Sequence, residues 1–305
     1  MWLRQKIQTL PRPGCLTNGL NLEASTARSE ALASLERTFQ ISGIENPARE
    51  ARISLCAASG VSPVALIVDP REPLGSAAPK VQEVAARRRV GEPLSRIVGK
   101  REFWGLSFAI TPHVLDPRPE TETIVEAALS ILRDRREDQL HVLDLGVGSG
   151  ALLCALLTEF GAARGVGVDI SVDAADVAQG NLDACGLCER AEIRIGDWTS
   201  GLEGQFDLIV SNPPYIPTAH LPRLPREVRN FDPWLALDGG FDGLAAYRRI
   251  MPRSRSLLAP GGWLLAELGA NQAAGVNAIA NHCGFTDDTT YQDLAGADRI
   301  VAIRR

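Results

Sequence analysis

Apolar residues in the first third of the chain recur at three- and four-residue spacing: Ala31, Leu32, Leu35 and Phe39 share one face of a helix. Gly43, Pro47, Gly60, Pro63 and Pro70 interrupt the pattern, so residues 26–90 read as a small bundle of short helices. From 91 to 119 the period shortens. Phe103, Trp104, Leu106, Phe108 and Ile110 alternate around Gly99 and Gly105, which predicts a β-hairpin connector. Beyond Pro119 short apolar runs alternate with longer helical stretches. The runs at 141–145, 165–169, 191–195, 206–211, 263–268 and 299–303 predict strands, and 120–133, 150–160, 171–185, 244–258 and 272–283 predict helices. This alternation predicts an α/β domain over 120–305, with a mostly parallel sheet covered on both faces. Residues 1–25 read as a disordered tail.

Composition adds limits. The 305 residues are 45% hydrophobic and 23% charged, the profile of a globular protein, and length alone suggests two domains. The formal charge of −5 argues against a protein built mainly to grip nucleic acid phosphates. It hides a split: residues 1–100 carry 14 Lys and Arg against 9 Asp and Glu, a net of +5, and residues 101–305 carry 18 against 28, a net of −10. The six cysteines show no repeated spacing, and Cys185 and Cys188 form a lone CxxC without nearby histidines, so no metal site is expected. No apolar run reaches the length of a membrane span. Arg4, Lys6 and Arg12 precede any acidic residue and faintly resemble an organelle-targeting run, against the expectation of a bacterial cytoplasmic protein.

Candidate chemistry begins where the predicted strand 141–145 runs into Gly146-Val147-Gly148-Ser149-Gly150. Glycines suit a tight turn that brings backbone close to a ligand at a helix N-terminus, although a plain strand-to-helix turn uses them too. Asp169 closes the next strand 25 residues after Asp144, where a carboxylate can accept from both hydroxyls of a ribose. Asp197 and Trp198 follow the third strand and could bound an adenine, the carboxylate accepting from its amino group and the indole packing on its ring.

The most specific feature is Asn212-Pro213-Pro214-Tyr215, directly after the strand 206–211. Two prolines remove two backbone donors and leave carbonyl oxygens as the free polar groups. Asn212 adds a side-chain oxygen and Tyr215 a flat face, so the loop suits a planar group bearing NH2. The tetrad resembles that of methyltransferases that modify planar nitrogen with S-adenosylmethionine. The segments 91–99, 101–104, 115–122, 236–244 and 293–300 further resemble the peptide chain release factor glutamine N5-methyltransferases, with departures at Asp116, Val147 and the first two dozen residues.

That resemblance implies a Rossmann-like class I methyltransferase domain with a mostly parallel seven-stranded sheet, preceded by a helical substrate-docking domain and the hairpin. It implies methyl transfer from S-adenosyl-L-methionine to the glutamine amide nitrogen in the GGQ motif of class 1 release factors. The cofactor would be held by Gly146, Val147, Gly148, Ser149, Gly150, Asp169, Asp197, Trp198 and Asn212. Asn212, Pro213, Pro214 and Tyr215 would hold the substrate amide, with Asn212, Pro213 and Tyr215 at the reacting nitrogen. A ribosomal-protein glutamine and a DNA adenine-N6 remain alternative targets of the same clamp. The expected molecule is a monomer that binds neither DNA nor membrane. Arg118, Glu120 and Glu122 stand at the junction, as supports of the site or as ordinary helix-start residues.

Overall fold

The computed structural model describes residues 20–285, 287–293 and 296–305. Residues 1–19 of the tail expected over 1–25, with the targeting-like run at 1–15, lie outside them, as do Leu294 and Ala295 of the 293–300 segment. The chain divides into two units, Met1–Val98 and Gly99–Arg305. Among the described residues no helix is long and apolar enough to cross a membrane.

Among its described residues the first unit holds five α-helices: α1 (Arg28–Ile41), α2 (Pro47–Ser59), α3 (Pro63–Val68), α4 (Ala78–Arg89) and α5 (Leu94–Val98). Ala31, Leu35 and Phe39 bury one stripe of α1 against Ala51 and Leu55 of α2 and Val81 and Ala85 of α4. Pro47 opens α2 at its first turn, and Gly60 closes it in the left-handed conformation. Residues 20–25, expected in the tail, belong to this unit: Leu22 is in its core, and its carbonyl accepts from Gln82 Nε2 at 2.6 Å. The basic run ending α4 is partly internal. Arg88 is buried against the Glu50 carboxylate, and Arg87 pairs with Glu92. Helix α5 also corrects the hairpin expected from residue 91, since 94–98 are helical.

In the second unit β1 (Lys100–Phe103) and β2 (Leu106–Ala109) form the hairpin. Trp104 and Gly105 both take positive φ, the geometry that suits a two-residue turn to the strand twist. Trp104 is held there by its own N–H on Glu122 Oε1 (2.8 Å) and its indole N–H on Glu159 Oε1 (2.7 Å). Glu122 therefore supports the hairpin.

The rest alternates as expected: α6 (Glu122–Ile131), β3 (His141–Leu145), α7 (Ala151–Glu159), β4 (Arg164–Asp169), α8 (Val172–Ala184), β5 (Ala191–Ile195) and β6 (Phe206–Ser211). A short helix α9 (Arg226–Phe231) precedes α10 (Ala245–Leu257), β7 (Leu258–Glu267), α11 (Ala273–His282), β8 (Asp287–Gln292) and β9 (Asp298–Arg304). The sheet order is β5-β4-β3-β6-β7-β9-β8; β3 to β7 pair in parallel, and β9 pairs antiparallel with both neighbours. Side chains alternate between two cores: Val142, Leu208 and Leu265 face one, and Leu143, Ile209 and Leu264 face the other. The connections diverge between β3 and β6, so a crevice opens beyond their carboxyl ends, where ligands of such sheets collect.

Candidate active site

The loop after β3 makes its turn with Gly146, Gly148 and Gly150, all at positive φ. Gly146 N and Val147 N both donate to Val168 O (2.8 and 2.9 Å), which folds the loop over the end of β4. A Cβ at Gly146 would stand 3.3 Å from Trp198 Cζ3, and one at Gly150 would meet Ala178 of α8 at 3.3 Å. The first glycine thus lets the indole pack close against the loop, and the third lets the start of α7 approach α8. Val147 turns its side chain into the core, 5% exposed, where only glycine fits at 167 opposite its Cγ2. Ser149 is buried, and its carbonyl accepts from Asn181 Nδ2 at 2.8 Å.

Asp169 anchors this loop from β4. One of its carboxylate oxygens accepts from Gly148 N and the other from Ser171 N, each at 2.9 Å. A carboxylate has about four lone-pair sites, so each oxygen keeps room for a hydroxyl donor. Asp197 pairs through Oδ2 with Arg249, while its Oδ1 is buried with no hydrogen-bond partner. Trp198 takes φ +52°, which swings its ring back over Gly146. Beneath them Asp144 is 1% exposed, and burial, reinforced by the Asp169 charge, pushes its carboxyl up to about 8. Sequence reasoning used Asp144 only as a spacing marker; an acid inside the apolar strand was the available signal.

The tetrad leaves the adjacent strand. Ser211 Oγ donates to Leu145 O at 2.6 Å, and Asn212 Nδ2 donates to Thr121 Oγ1 at 3.0 Å. Thr121 donates in turn to Glu267 Oε2 at 2.7 Å, and the Tyr215 hydroxyl donates to Glu267 Oε1 at 3.1 Å. Glu267 is 1% exposed, and burial raises its carboxyl to about 7 against the pull of these hydrogen bonds and of Arg299. Burial beside Glu267 pushes the Tyr215 hydroxyl up. Pro213 is buried and Pro214 half-buried. A cleft of about 270 Å³ opens here, lined among others by Arg118, Glu120, Asn212, Tyr215, Glu267 and Arg299. Thr121 and Glu267 escaped sequence reasoning, which had stopped at Arg118, Glu120 and Glu122.

The glycine-rich segment 238–244 braces the tetrad. Ile216 N donates to Leu237 O and Gly239 N to Ile216 O (3.1 and 2.8 Å), while a Cβ at Gly239 would strike the Tyr215 backbone at 2.8 Å. Gln272 adds a 2.8 Å bond from Nε2 to Tyr215 O. Asp116, the departure at the junction, is buried with Arg101 Nε 3.6 Å away. Among the described residues no group of three or more His, Cys, Asp or Glu is placed to hold a metal ion.

The fold, a mostly parallel seven-stranded sheet with one antiparallel strand and helices on both faces, is that of a class I methyltransferase, and the methyltransferase small domain family matches residues 125–221. The PrmC N-terminal domain matches residues 30–99. A release factor glutamine methyltransferase of Bradyrhizobium diazoefficiens is 43% identical over 298 residues, 97% of this chain and 98% of its own length. One from Geobacter sulfurreducens is 45% identical over 264 residues, 86% of this chain and 91% of that protein. The chain belongs to the release factor glutamine methyltransferase family. The fold extends further: the hMettl16 catalytic domain, solved bound to an RNA hairpin, superposes with a TM-score of 0.56 at 17% identity over 72% of this chain and 81% of that one.

Proposed function

We propose that this enzyme methylates the side-chain amide nitrogen of the glutamine in the GGQ motif of class 1 peptide chain release factors, with S-adenosylmethionine as methyl donor. One observation carries the reading: the Asn212 amide is fastened through its NH2 end to Thr121, which leaves Oδ1 as an acceptor beside the cleft. A glutamine carboxamide bears the NH2 group that such an acceptor suits.

The residues present fit the cofactor. Asp197 keeps a buried oxygen without a partner, suited to an adenine amino group, and the Trp198 ring beside it packs close against the glycine loop at Gly146. Asp169 would accept from the ribose, while Gly148, Ser149 and Gly150 line the turn with backbone. When bound, S-adenosylmethionine supplies an electrophilic methyl group on a positively charged sulfur. The acidic catalytic region, net −10 over 101–305, suits that cation better than a nucleic acid.

An amide nitrogen is a poor nucleophile because its lone pair is delocalised into the carbonyl. Asn212 Oδ1 and the Pro213 carbonyl would each accept one of its hydrogens and aim the nitrogen, with Pro214 stiffening the loop and Tyr215 lying against the amide plane. Both bonds strengthen as positive charge develops on nitrogen. Positioning of this kind can supply roughly 7 to 11 kcal/mol, so the transfer step needs no dedicated base. The amide proton replaced by methyl passes to water. In this reading the enzyme works as a monomer in the bacterial cytoplasm, and the first unit, which makes up nearly all of the basic stretch 1–100 of net +5, docks the protein substrate.

The test is to incubate the protein with methyl-labelled S-adenosylmethionine and, in parallel, a purified release factor, ribosomes and duplex DNA. Label should enter the release factor and vanish when its GGQ glutamine is replaced. Label confined to a ribosomal protein or to DNA overturns the reading.

A further inference from the structure

Resting on that reading of the tetrad as an amide clamp, we propose that Thr121 and Glu267 are positioning residues for the transfer, a buried relay that decides which end of the Asn212 amide meets the substrate.

The two ends of an asparagine amide are nearly equal in shape and opposite in hydrogen bonding. Only the oxygen end can accept from a substrate NH2, so the clamp fails whenever Asn212 rotates by half a turn. Its Nδ2 donates to Thr121 Oγ1 at 3.0 Å. A threonine hydroxyl has one proton, and that of Thr121 is directed to Glu267 Oε2 at 2.7 Å. With its proton committed, Oγ1 can only accept, so only the NH2 end of Asn212 matches it. The order of donors is set by the ionised carboxylate, which only accepts. Glu267 Oε1 holds the Tyr215 hydroxyl at 3.1 Å, so one buried group orients both the acceptor and the flat ring of the site.

A protonated Glu267 can itself donate to Thr121, which frees the threonine proton to meet Asn212 and removes the preference between amide ends. The charged groups around Glu267 act in both directions. Burial and Glu120 favour its neutral form, while Arg299 and the bonds from Thr121 and Tyr215 favour its charge. Arg118 faces Tyr215, and Tyr247 donates to the Glu267 backbone carbonyl, leaving the carboxylate itself to the relay. The carboxyl raised to about 7 gives kcat a limb that climbs with pH through neutrality.

The experiment measures kcat, KM for the acceptor protein and the cofactor dissociation constant for the parent, Thr121→Val, Thr121→Ser and Glu267→Gln between pH 5.5 and 9. Thr121→Val should lower kcat at least tenfold with cofactor affinity within about twofold of the parent, and Thr121→Ser should restore most of the rate. Glu267→Gln should flatten the kcat limb near pH 7, since the amide does not titrate. A Thr121→Val enzyme with parental kcat, a Thr121→Ser enzyme no better than the valine variant, or a limb that survives in Glu267→Gln each overturns the relay. If the parent labels another NH2 acceptor instead of the release factor, the reading of the substrate falls and the relay is judged by the same ratios on that acceptor.

Discussion

The hydroxyl of Ser211 donates a 2.6 Å hydrogen bond to the carbonyl of Leu145, fastening the strand that carries Asn212 to the strand that opens into the glycine loop. The glycine loop and the tetrad are thereby held in one frame at the switch point of the sheet, although they belong to separate sequence motifs. Holding two reactants in register is the main resource of an enzyme without a strong base.

Asn212→Ala removes the acceptor and leaves that frame intact. The rate of transfer should fall about a hundredfold, the scale on which a single preorganised hydrogen bond to a developing charge acts. The dissociation constant for S-adenosylmethionine, measured by calorimetry, should move only severalfold. An alanine variant that methylates as fast as the parent would falsify the clamp.

Asp169→Ala tests the other half. Its carboxylate holds Gly148 N and Ser171 N, and in the proposed complex it also takes the ribose hydroxyls. Cofactor affinity should weaken by tenfold or more, with the loss in KM for S-adenosylmethionine larger than the loss in kcat. An unchanged dissociation constant contradicts the ribose assignment.

The features read directly from sequence are those in which one short segment carries the whole signal. Strands β3 and β6 are buried on both faces and announce themselves as apolar runs, and the glycine loop and tetrad are contiguous. Strand β8 escaped because Asp287-Asp-Thr-Thr-Tyr-Gln292 is polar and lies at the sheet edge, where pairing with β9 supplies what hydrophobicity does not. Helix α5 was hidden behind Gly91, Pro93 and Gly99, which punctuate like a turn. Thr121 and Glu267 were illegible for a different reason. They stand 146 residues apart, and only the pairing of β7 beside β6 brings Glu267 to the tetrad.

Asp144 should make stability depend on pH. Its folded value of about 8 lies above the ordinary 3.8, so between those values the native state holds a proton that the unfolded chain has released. Stability is then lost as pH rises through that window, by up to about 1.4 kcal/mol per pH unit for one proton. Asparagine imitates the neutral acid. Thermal melts of Asp144→Asn should gain on the parent steadily from pH 5 to pH 8. A gap that stays constant across that range shows that Asp144 keeps an ordinary value.

The basic character of the first unit yields the last prediction. Arg87 and Arg88 are tied to Glu92 and Glu50, so reversing them would break internal pairs before any docking was tested. Losing the partner of a buried charge costs about 3 to 5 kcal/mol, and reduced methylation would then report unfolding. Arg49 and Arg52 are better probes: both are exposed, and three residues apart on α2 they share a face. Arg49→Glu with Arg52→Glu should raise KM for an intact release factor about tenfold at low salt, with the effect shrinking as salt screens the field. A short GGQ-containing peptide that lacks the rest of the release factor should be methylated by parent and variant at equal rates. If the intact protein also responds equally, this face of α2 is merely solvated and the substrate docks elsewhere.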